Sequence, residues 1–340
     1  MPVIAAGFQK HAAGLGLVAV LAAYTALWTV YPHEFAASDS WVYAQRAYNI
    51  FQTADFGGGN VFDCRLGVIL PVAFLYKLFG VSIITTNLLP LCAALLIVCT
   101  VWAALPDPRS KMIGAILCLT SVPLFKMSVI LLPDIIAAAF MGLSAMALFG
   151  RERFLHARGL WLVTPVASIL LLFAAFLAKE SAWWILPLWA IALVADRKSG
   201  DFPVLLRRFY LPALCAGFIL GVSYLLFCHR VWGDALARFG SIQALTGHHL
   251  WSWGVATEGD VLKRLTIGPM RMFLAETGVV AVLAFLAVFI IPKSLIPWGH
   301  YTILCVACFW FGSTSFTRYE PLPTVPRMTL PAWPGLCMLA

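Results

Sequence analysis

Charged residues are scarce in this 340-residue sequence, making up 11% of it, whereas hydrophobic residues make up 62%. A soluble domain carries about 25% charged residues, and a soluble chain of this size could not hide so much apolar surface from water. The scarcity therefore excludes an ordinary soluble protein and indicates a polytopic integral membrane protein. Although the net charge is +8, no polar segment combines a basic patch with interleaved aromatic residues, so nucleic-acid binding is not expected.

Motifs for metal, phosphate and disulfide chemistry are also lacking. The seven histidines show no H-E-x-x-H spacing, and the glycine run 57–59 lacks the Lys-Ser/Thr pair of a phosphate loop. Eight of the nine cysteines lie in apolar runs, where we interpret them as packing residues. No internal or inverted repeat is visible, which weakens an interpretation as a transporter. The sequence therefore contains no recognisable metal-ligand motif and does not identify a cofactor.

What the sequence does have is a series of apolar runs, which predict an all-α, polytopic transmembrane helix bundle of about ten spans. The runs lie at residues 14–31, 82–104, 112–130, 135–150, 160–178, 182–195, 209–228, 272–291, 297–316 and 328–340. The further stretch 66–80 contains Pro71 and Lys77, so we expect an interfacial helix there rather than a span.

The distribution of charge predicts the topology. If the N-terminus is inside and 66–80 does not span, basic residues fall in the short inner loops, as the positive-inside rule requires. Most acidic residues then face outwards, together with the first outer loop, 32–80, and a second outer loop, 229–270. Charged groups held at a membrane boundary need a reason, so we expect the functional site at this outer face.

In the first outer loop, Ser38 is a predicted N-cap for a helix running from Asp39 to about Thr53. Four apolar residues fall at helical spacing on one face of this helix and predict that it lies on the outer leaflet: Trp41, Ala44, Tyr48 and Phe51. On spacing alone, Asp39 is better explained as a first-turn acid that favours the helix dipole.

Further charged residues lie at the predicted outer ends of other spans. Asp134 follows Pro133 at the start of the fourth span, Lys179 and Glu180 follow the fifth, and Arg318 and Arg327 flank a proline-rich outer turn. Each has an ordinary alternative, as a helix-dipole acid or a snorkelling base. Carboxylates at the outer ends of two spans nevertheless suggest a shared site on the outer face. Arginine is well suited to binding phosphate.

Several segments together resemble the GT-C glycosyltransferases, and more narrowly the family 39-like group of protein O-mannosyltransferases, lipid A aminoarabinose transferase and rhizobial lipopolysaccharide galacturonosyltransferases. The resemblance covers nearly the whole chain and rests on motifs in the expected order, SDSWVYAQRAYNIF, CRLGVILPVAFLYKLFGVS, LLPDIIAAAFMGLSAMALFGRER, FLAKESAWWILPLW and PRMTLPAWPGLCML. It implies one GT-C-like domain over 1–340, without the additional spans or soluble C-terminal domain that many members carry.

The resemblance also implies an activity, transfer of a sugar from a polyprenyl-phosphate donor to a glycan, lipid or protein acceptor on the non-cytoplasmic face. Asp39 and Asp134 match the family's acids, and Lys179 and Arg327 match its later lysine and arginine. We expect Asp39 to be the base, with Asp134 orienting the acceptor or helping to bind a divalent metal. The remaining candidates are Arg65 and Arg318 for the donor phosphate, and Glu180 and Tyr43 for orienting the acceptor.

The leaving polyprenyl phosphate needs positive charge rather than a proton, so one carboxylate base suffices, and we expect inversion at the anomeric carbon. Three alternatives stay open at this point: a lipid-linked-glycan transporter or flippase, an inactive paralogue acting as a scaffold, and an O-antigen ligase or polymerase. The basic inner loops favour a bacterial inner membrane with the site facing the periplasm and a role in cell-envelope glycosylation.

Overall fold

The computed structural model describes residues 2–33, 37–152, 163–249, 262–263, 265–287, 290–313 and 325–340. Apart from a single β-bridge residue at Ser313, every secondary-structure element within these ranges is a helix. The α-helices are α1 (Pro2–Val30), α2 (Ala37–Thr53), α3 (Leu66–Phe79), α4 (Ile83–Ala104), α5 (Pro108–Thr120), α6 (Val122–Ser128), α7 (Pro133–Phe149), α8 (Val163–Ala178), α9 (Leu186–Asp196), α10 (Phe202–Trp232), α11 (Ala237–His249), α12 (Ile267–Ala287), α13 (Ile296–Phe311) and α14 (Trp333–Leu339). Short 3₁₀ helices occupy Glu180–Ile185, Lys293–Leu295 and Pro326–Ala332.

Three described helices are long and apolar enough to cross a membrane: α4, α10, and α13 together with the preceding 3₁₀ turn. The pair α5–α6 and the broken helix α12 raise the number to five if each bent pair forms one span. The apolar helices α3, α7 and α8, and α1 from Gly14 onwards, are shorter. The predicted all-α fold is therefore confirmed for the described residues, with three to five candidate membrane spans, while the count of about ten spans stays a prediction.

The apolar run 112–130 is broken, whereas the sequence suggested one continuous span. Helices α5 and α6 meet at an angle of 62°, and Ser121 separates them. The Ser121 Oγ atom accepts a hydrogen bond from the Leu124 N–H at 3.2 Å, and Pro123 lies in the first turn of α6. A serine cap followed by proline starts a new helix rather than continuing the old one.

Helix α2 confirms the predicted helix in the first outer loop but corrects its details. It begins at Ala37, so Ser38 lies in the first turn rather than at the N-cap, and it ends at Thr53 as expected. Trp41 and Tyr48 are 55% and 44% exposed while Ala44 is buried, and the placement of this face on the outer leaflet stays a prediction. The side that packs on the protein consists of Ser40, Tyr43, Ala44 and Ala47.

Helix α7 lies at the centre of the bundle, with buried residues on all its faces, the pattern of a helix surrounded by others. It runs antiparallel to α8, and the two are joined by reciprocal hydrogen bonds. The Ser144 hydroxyl donates to the Ser168 carbonyl at 2.9 Å, and the Ser168 hydroxyl donates to the Ser144 carbonyl at 3.0 Å. Helix α4 and the 3₁₀ helix Pro326–Ala332 also pack against α7.

The two ends of α7 carry different charge groups. Just beyond its last residue, Arg151 forms two bonds to Asp196, at 2.7 and 2.5 Å, and Tyr210 donates to the same carboxylate at 2.7 Å. A π-helical turn at Leu206–Tyr210 precedes the main body of α10 and carries this tyrosine. Since Arg151 and Asp196 both belong to predicted inner loops, we call this the inner end and the Asp134 end of α7 the outer end.

Candidate active site

Four charged side chains form a row of alternating charge across the outer end of the bundle. Arg327, in the 3₁₀ helix Pro326–Ala332, donates from Nη1 to Oδ2 of Asp39 at 3.0 Å. Its Nε lies 4.0 Å from Oδ2 of Asp134. The other oxygen of Asp134 accepts a hydrogen bond from Lys179. Residues from α2, α7, the end of α8 and the C-terminal part of the chain thus meet in one alternating row of charges.

Burial differs along this row. Asp134 is only 2% exposed and Lys179 is also buried, whereas the Asp39 side chain is 27% exposed. The Lys179 ammonium group also lies 3.2 Å from the Met328 sulfur. A buried carboxylate needs a charged partner, and Lys179 provides it. Asp39 is therefore the carboxylate in this row that remains accessible to an incoming molecule.

A second group surrounds Glu180, the residue after Lys179. Arg65 donates from Nη2 to Oε2 of Glu180 at 3.2 Å, and Arg238 donates from Nη2 to Oε1 at 3.1 Å. Arg65 also donates from Nη1 to the Tyr43 hydroxyl oxygen. Because Lys179 and Glu180 are adjacent in the chain, the two groups form one network of four cations and three carboxylates, with a net charge of +1.

The electrostatics follow from burial beside opposite charges. Burial opposes ionisation of Glu180, but Arg65 and Arg238 outweigh it and lower its pKa to about 2. Burial lowers the pKa of Lys179, and Arg65 and Arg327 lower it further, while Asp134 acts in the opposite direction. Burial raises the pKa of Tyr43 to about 12, so its hydroxyl stays neutral at physiological pH. Glu180 remains fully ionised between its two arginines.

Close helix packing brings the parts of the network together. Arg65 immediately precedes α3, and Lys179 immediately follows α8. Between these two helices, a Cβ atom placed on Gly67 would come within 2.6 Å of the Ala178 backbone nitrogen and 2.8 Å of the Leu177 carbonyl carbon. Only glycine allows the backbones to approach this closely, and this approach sets the distance between Arg65 and Glu180.

Four buried polar atoms of the network have no hydrogen-bond partner in the part of the chain that the structure describes: Nε of Arg65, Nε of Arg238, Nε of Arg327 and Oδ2 of Asp134. The last two face each other across 4.0 Å, which is too far for a direct hydrogen bond. Buried polar groups in proteins are almost always satisfied. The arrangement therefore leaves three guanidinium Nε–H donors without an acceptor among the described residues, which a ligand could supply.

Sequence reasoning named eight site residues, and the structure brings seven of them together: Asp39, Tyr43, Arg65, Asp134, Lys179, Glu180 and Arg327. Arg318 lies outside the described residues, as do Glu258 and Asp260 of the second outer loop. The roles assigned to all eight stay predictions. Arg238 was missed. The available signal was a single arginine in the otherwise apolar stretch ALARFG, within a loop already expected to face the site.

The carboxylates of this site do not fit a resident divalent metal. Among the described residues, no three His, Cys, Asp or Glu side chains come close enough together to hold a metal ion. Asp134 and Asp39, the two acids in the row, are paired with Lys179 and Arg327 respectively. A divalent ion would have to displace one of these cations before it could bind.

No family model and no curated protein matches the sequence. The fold, however, is similar to the crystal structure of ArnT from Cupriavidus metallidurans in the apo state, with a TM-score of 0.62 and 15% sequence identity. The match covers 96% of this chain, which spans only 59% of the ArnT chain. ArnT is a lipid A aminoarabinose transferase of the GT-C class. The chain therefore has an ArnT-like fold, in agreement with the fold that the sequence motifs implied.

Proposed function

We propose that this protein is a membrane glycosyltransferase that moves a sugar from a polyprenyl-phosphate donor to a hydroxyl or amine of a glycan, lipid or protein acceptor. Two observations support the proposal: the ArnT-like fold and the network of charged residues at the outer end of the bundle. The reaction takes place where a lipid-anchored donor can present its phosphate, at the boundary between the bilayer and the periplasm of a bacterial inner membrane.

The observation that carries the proposal is that the buried guanidinium Nε–H donors of Arg65 and Arg327, like that of Arg238, have no acceptor among the described residues. Guanidinium groups bind phosphate through directed, charge-assisted hydrogen bonds. Lys179 lies between them in the network and adds a third cation. We assign these three residues to the donor phosphate, and Arg318, by its position in the last outer turn, to the same role.

In the proposed reaction, the acceptor oxygen or nitrogen attacks the anomeric carbon while the bond from that carbon to the phosphate oxygen breaks. The phosphate oxygen keeps the electron pair, and the cations of the site stabilise its charge. The proton of the acceptor passes to a carboxylate. Glycosidases need a second carboxyl group to protonate their leaving alcohol, whereas a phosphate needs no proton. Direct displacement gives an inverted product.

We assign the base to Asp39, because it is the accessible carboxylate of the row. Asp134 is too buried to contact a large acceptor, so we propose that it holds Lys179 in place instead of orienting the acceptor. Tyr43 and Glu180 both bond to Arg65, so their contribution is to hold that guanidinium group. This revises the orienting role that the sequence suggested for them.

The test is sugar transfer by the purified protein in liposomes, supplied with a panel of polyprenyl-phosphate sugars. We expect Asp39→Asn to lose at least about a hundredfold in kcat, the size of effect expected for a general base. The matched control is Asp55→Asn, an exposed acid of the same outer loop, which should retain full activity. Full activity of Asp39→Asn would remove Asp39 from the mechanism. A wild-type protein that transfers no sugar would contradict the proposal and favour an inactive scaffold.

A further inference from the structure

Arg238 is buried in the network although it comes from the second outer loop. It lies in α11, and only 1% of its side chain is exposed. Its Nη1 donates to the Cys64 carbonyl at 3.2 Å, and its Nη2 donates to Oε1 of Glu180 at 3.1 Å. The guanidinium carbon stands 4.3 Å from the centre of the Phe176 ring, near the end of α8. Such a stacked, forked arginine is held in one geometry.

These contacts restrain both the backbone and the side chain of Arg65. The Cys64 carbonyl belongs to the residue directly before Arg65, so Arg238 restrains the backbone there. Glu180 accepts from Arg238 on one oxygen and from Arg65 on the other, so Arg238 also orients the carboxylate that holds the Arg65 side chain. Arg238 makes no described contact with Asp39, Asp134 or Arg327.

We propose that Arg238 is a positioning residue of the donor site, which fixes the Arg65 guanidinium group for phosphate binding through Glu180 and the Cys64 carbonyl. The inference rests on the proposed function and adds a role for the second outer loop, which thereby becomes part of the site. It follows that removing Arg238 affects the donor through Arg65, rather than affecting the acceptor or the base.

The experiment combines Arg65→Met, Arg238→Met and the double variant in the liposome assay, with KM for the donor, KM for the acceptor and kcat measured separately. We expect Arg238→Met to raise the donor KM about tenfold, the loss of one charge-assisted contact, and to leave the acceptor KM unchanged. Since Arg238 acts through Arg65, the double variant should be within about twofold of Arg65→Met, because coupled residues are not additive.

Arg151→Met is the matched control. It breaks another largely buried arginine–carboxylate pair, with Asp196, at the inner end of the bundle, so it reports a general loss of stability and should leave the donor KM unchanged. Arg238→Lys keeps the charge next to Glu180 but loses the fork, and it covers the case in which Arg238→Met does not fold. We expect it to raise the donor KM about threefold.

Three results would overturn the positioning role: an unchanged donor KM in whichever Arg238 variant folds, effects that multiply fully in the double variant, or an equal rise in Arg151→Met. Titration with polyprenyl phosphate alone separates this inference from the proposed function. Tight binding by the wild type and equal binding by Arg238→Met refutes only the role of Arg238. Absence of both binding and sugar transfer in the wild type refutes both proposals.

Discussion

Glu180 shows how a single carboxylate can organise a cationic site without losing its own charge. Its two oxygens each accept from a different arginine, Arg65 and Arg238, which would otherwise repel each other at close range. Hydrogen bonds to charged groups contribute about 1.5–3 kcal/mol each, so Glu180→Gln should lower the free energy of unfolding by roughly 2 kcal/mol at neutral pH.

The pH dependence of this contribution can be predicted. The pKa of Glu180 falls from an ordinary value of 4.5 to about 2 in the folded protein, so the unfolded chain binds the extra proton first as the pH drops. The stabilisation is fully present above about pH 4.5 and is lost as the pH falls towards 2. We expect the difference in melting temperature between wild type and Glu180→Gln to be constant from pH 8 to 5 and to shrink below that.

The control for this titration is Glu152→Gln, which alters an exposed acid near the inner end and should match the wild type at every pH. Melting is followed in detergent by intrinsic tryptophan fluorescence. A difference for Glu180→Gln that already changes between pH 8 and 6 would mean that the carboxylate is not held between two arginines as described.

How far the site could be predicted from sequence depends on what surrounds each residue in the chain. Asp134 and Lys179 stand out because each interrupts or borders a long apolar run, where charge is costly. Arg238 stands out as a single charge in the apolar stretch ALARFG, but nothing in that stretch specifies its partners, Glu180 and Phe176. Pairings such as Arg327 with Asp39 join residues 288 positions apart, and no local pattern specifies them.

At the scale of helices, the contact between α3 and α8 controls the distance across the site. Substituting Gly67 by alanine would push a methyl group against the backbone at Ala178 and Leu177, and backbone atoms cannot move aside as a flexible side chain can. Overpacking of this kind costs about 1–3 kcal/mol. We expect Gly67→Ala to lower stability by that amount and to raise the donor KM, because Arg65 is displaced from Glu180.

The matched control is Gly58→Ala in the same outer loop, where an added Cβ atom meets nothing within 4 Å. Stability from denaturant titration in mixed micelles and donor KM from the liposome assay are measured on both variants. If Gly67→Ala behaved like Gly58→Ala in both measurements, the close approach of α3 and α8 would not be needed for the site.

Helix existence was predictable from the apolar runs, while breaks within them were not. The run that became α4 matches its helix closely, because Ser82 caps its start and Pro106 and Asp107 follow shortly after its end. The run 112–130 concealed the break at Ser121, since an average over many residues hides one cap and one proline. The π-helical turn at Leu206–Tyr210 likewise has no sequence signal that periodicity detects.

In the whole molecule, ionic groups gather at two ends separated by a largely apolar interior. Helix α7 has 17 residues and is therefore about 25 Å long, with the Asp134–Lys179 pair at its start and Arg151 just after its end. The inner group is a compact, satisfied pair of one arginine and one carboxylate with Tyr210. The outer group has more cations than acids and retains unpaired N–H donors. The two ends therefore differ: the inner pair stabilises the fold, whereas the outer network is suited to binding a ligand.

This polarity predicts the orientation of the protein in the membrane. Asp55 lies in the exposed turn after α2 at the outer end, and Lys198 lies in the exposed turn after α9 at the inner end. The basic residues near Lys198 should hold that end in the cytoplasm.

Cysteines are introduced singly at Asp55 and Lys198, after the exposed Cys92 and Cys215 are replaced by serine. A membrane-impermeant maleimide is then added to spheroplasts. We expect Asp55→Cys to react at once and Lys198→Cys to react only after the membrane is opened. The reverse pattern would put the charged network in the cytoplasm, where a donor presented on the periplasmic face could not reach Arg65 or Arg327.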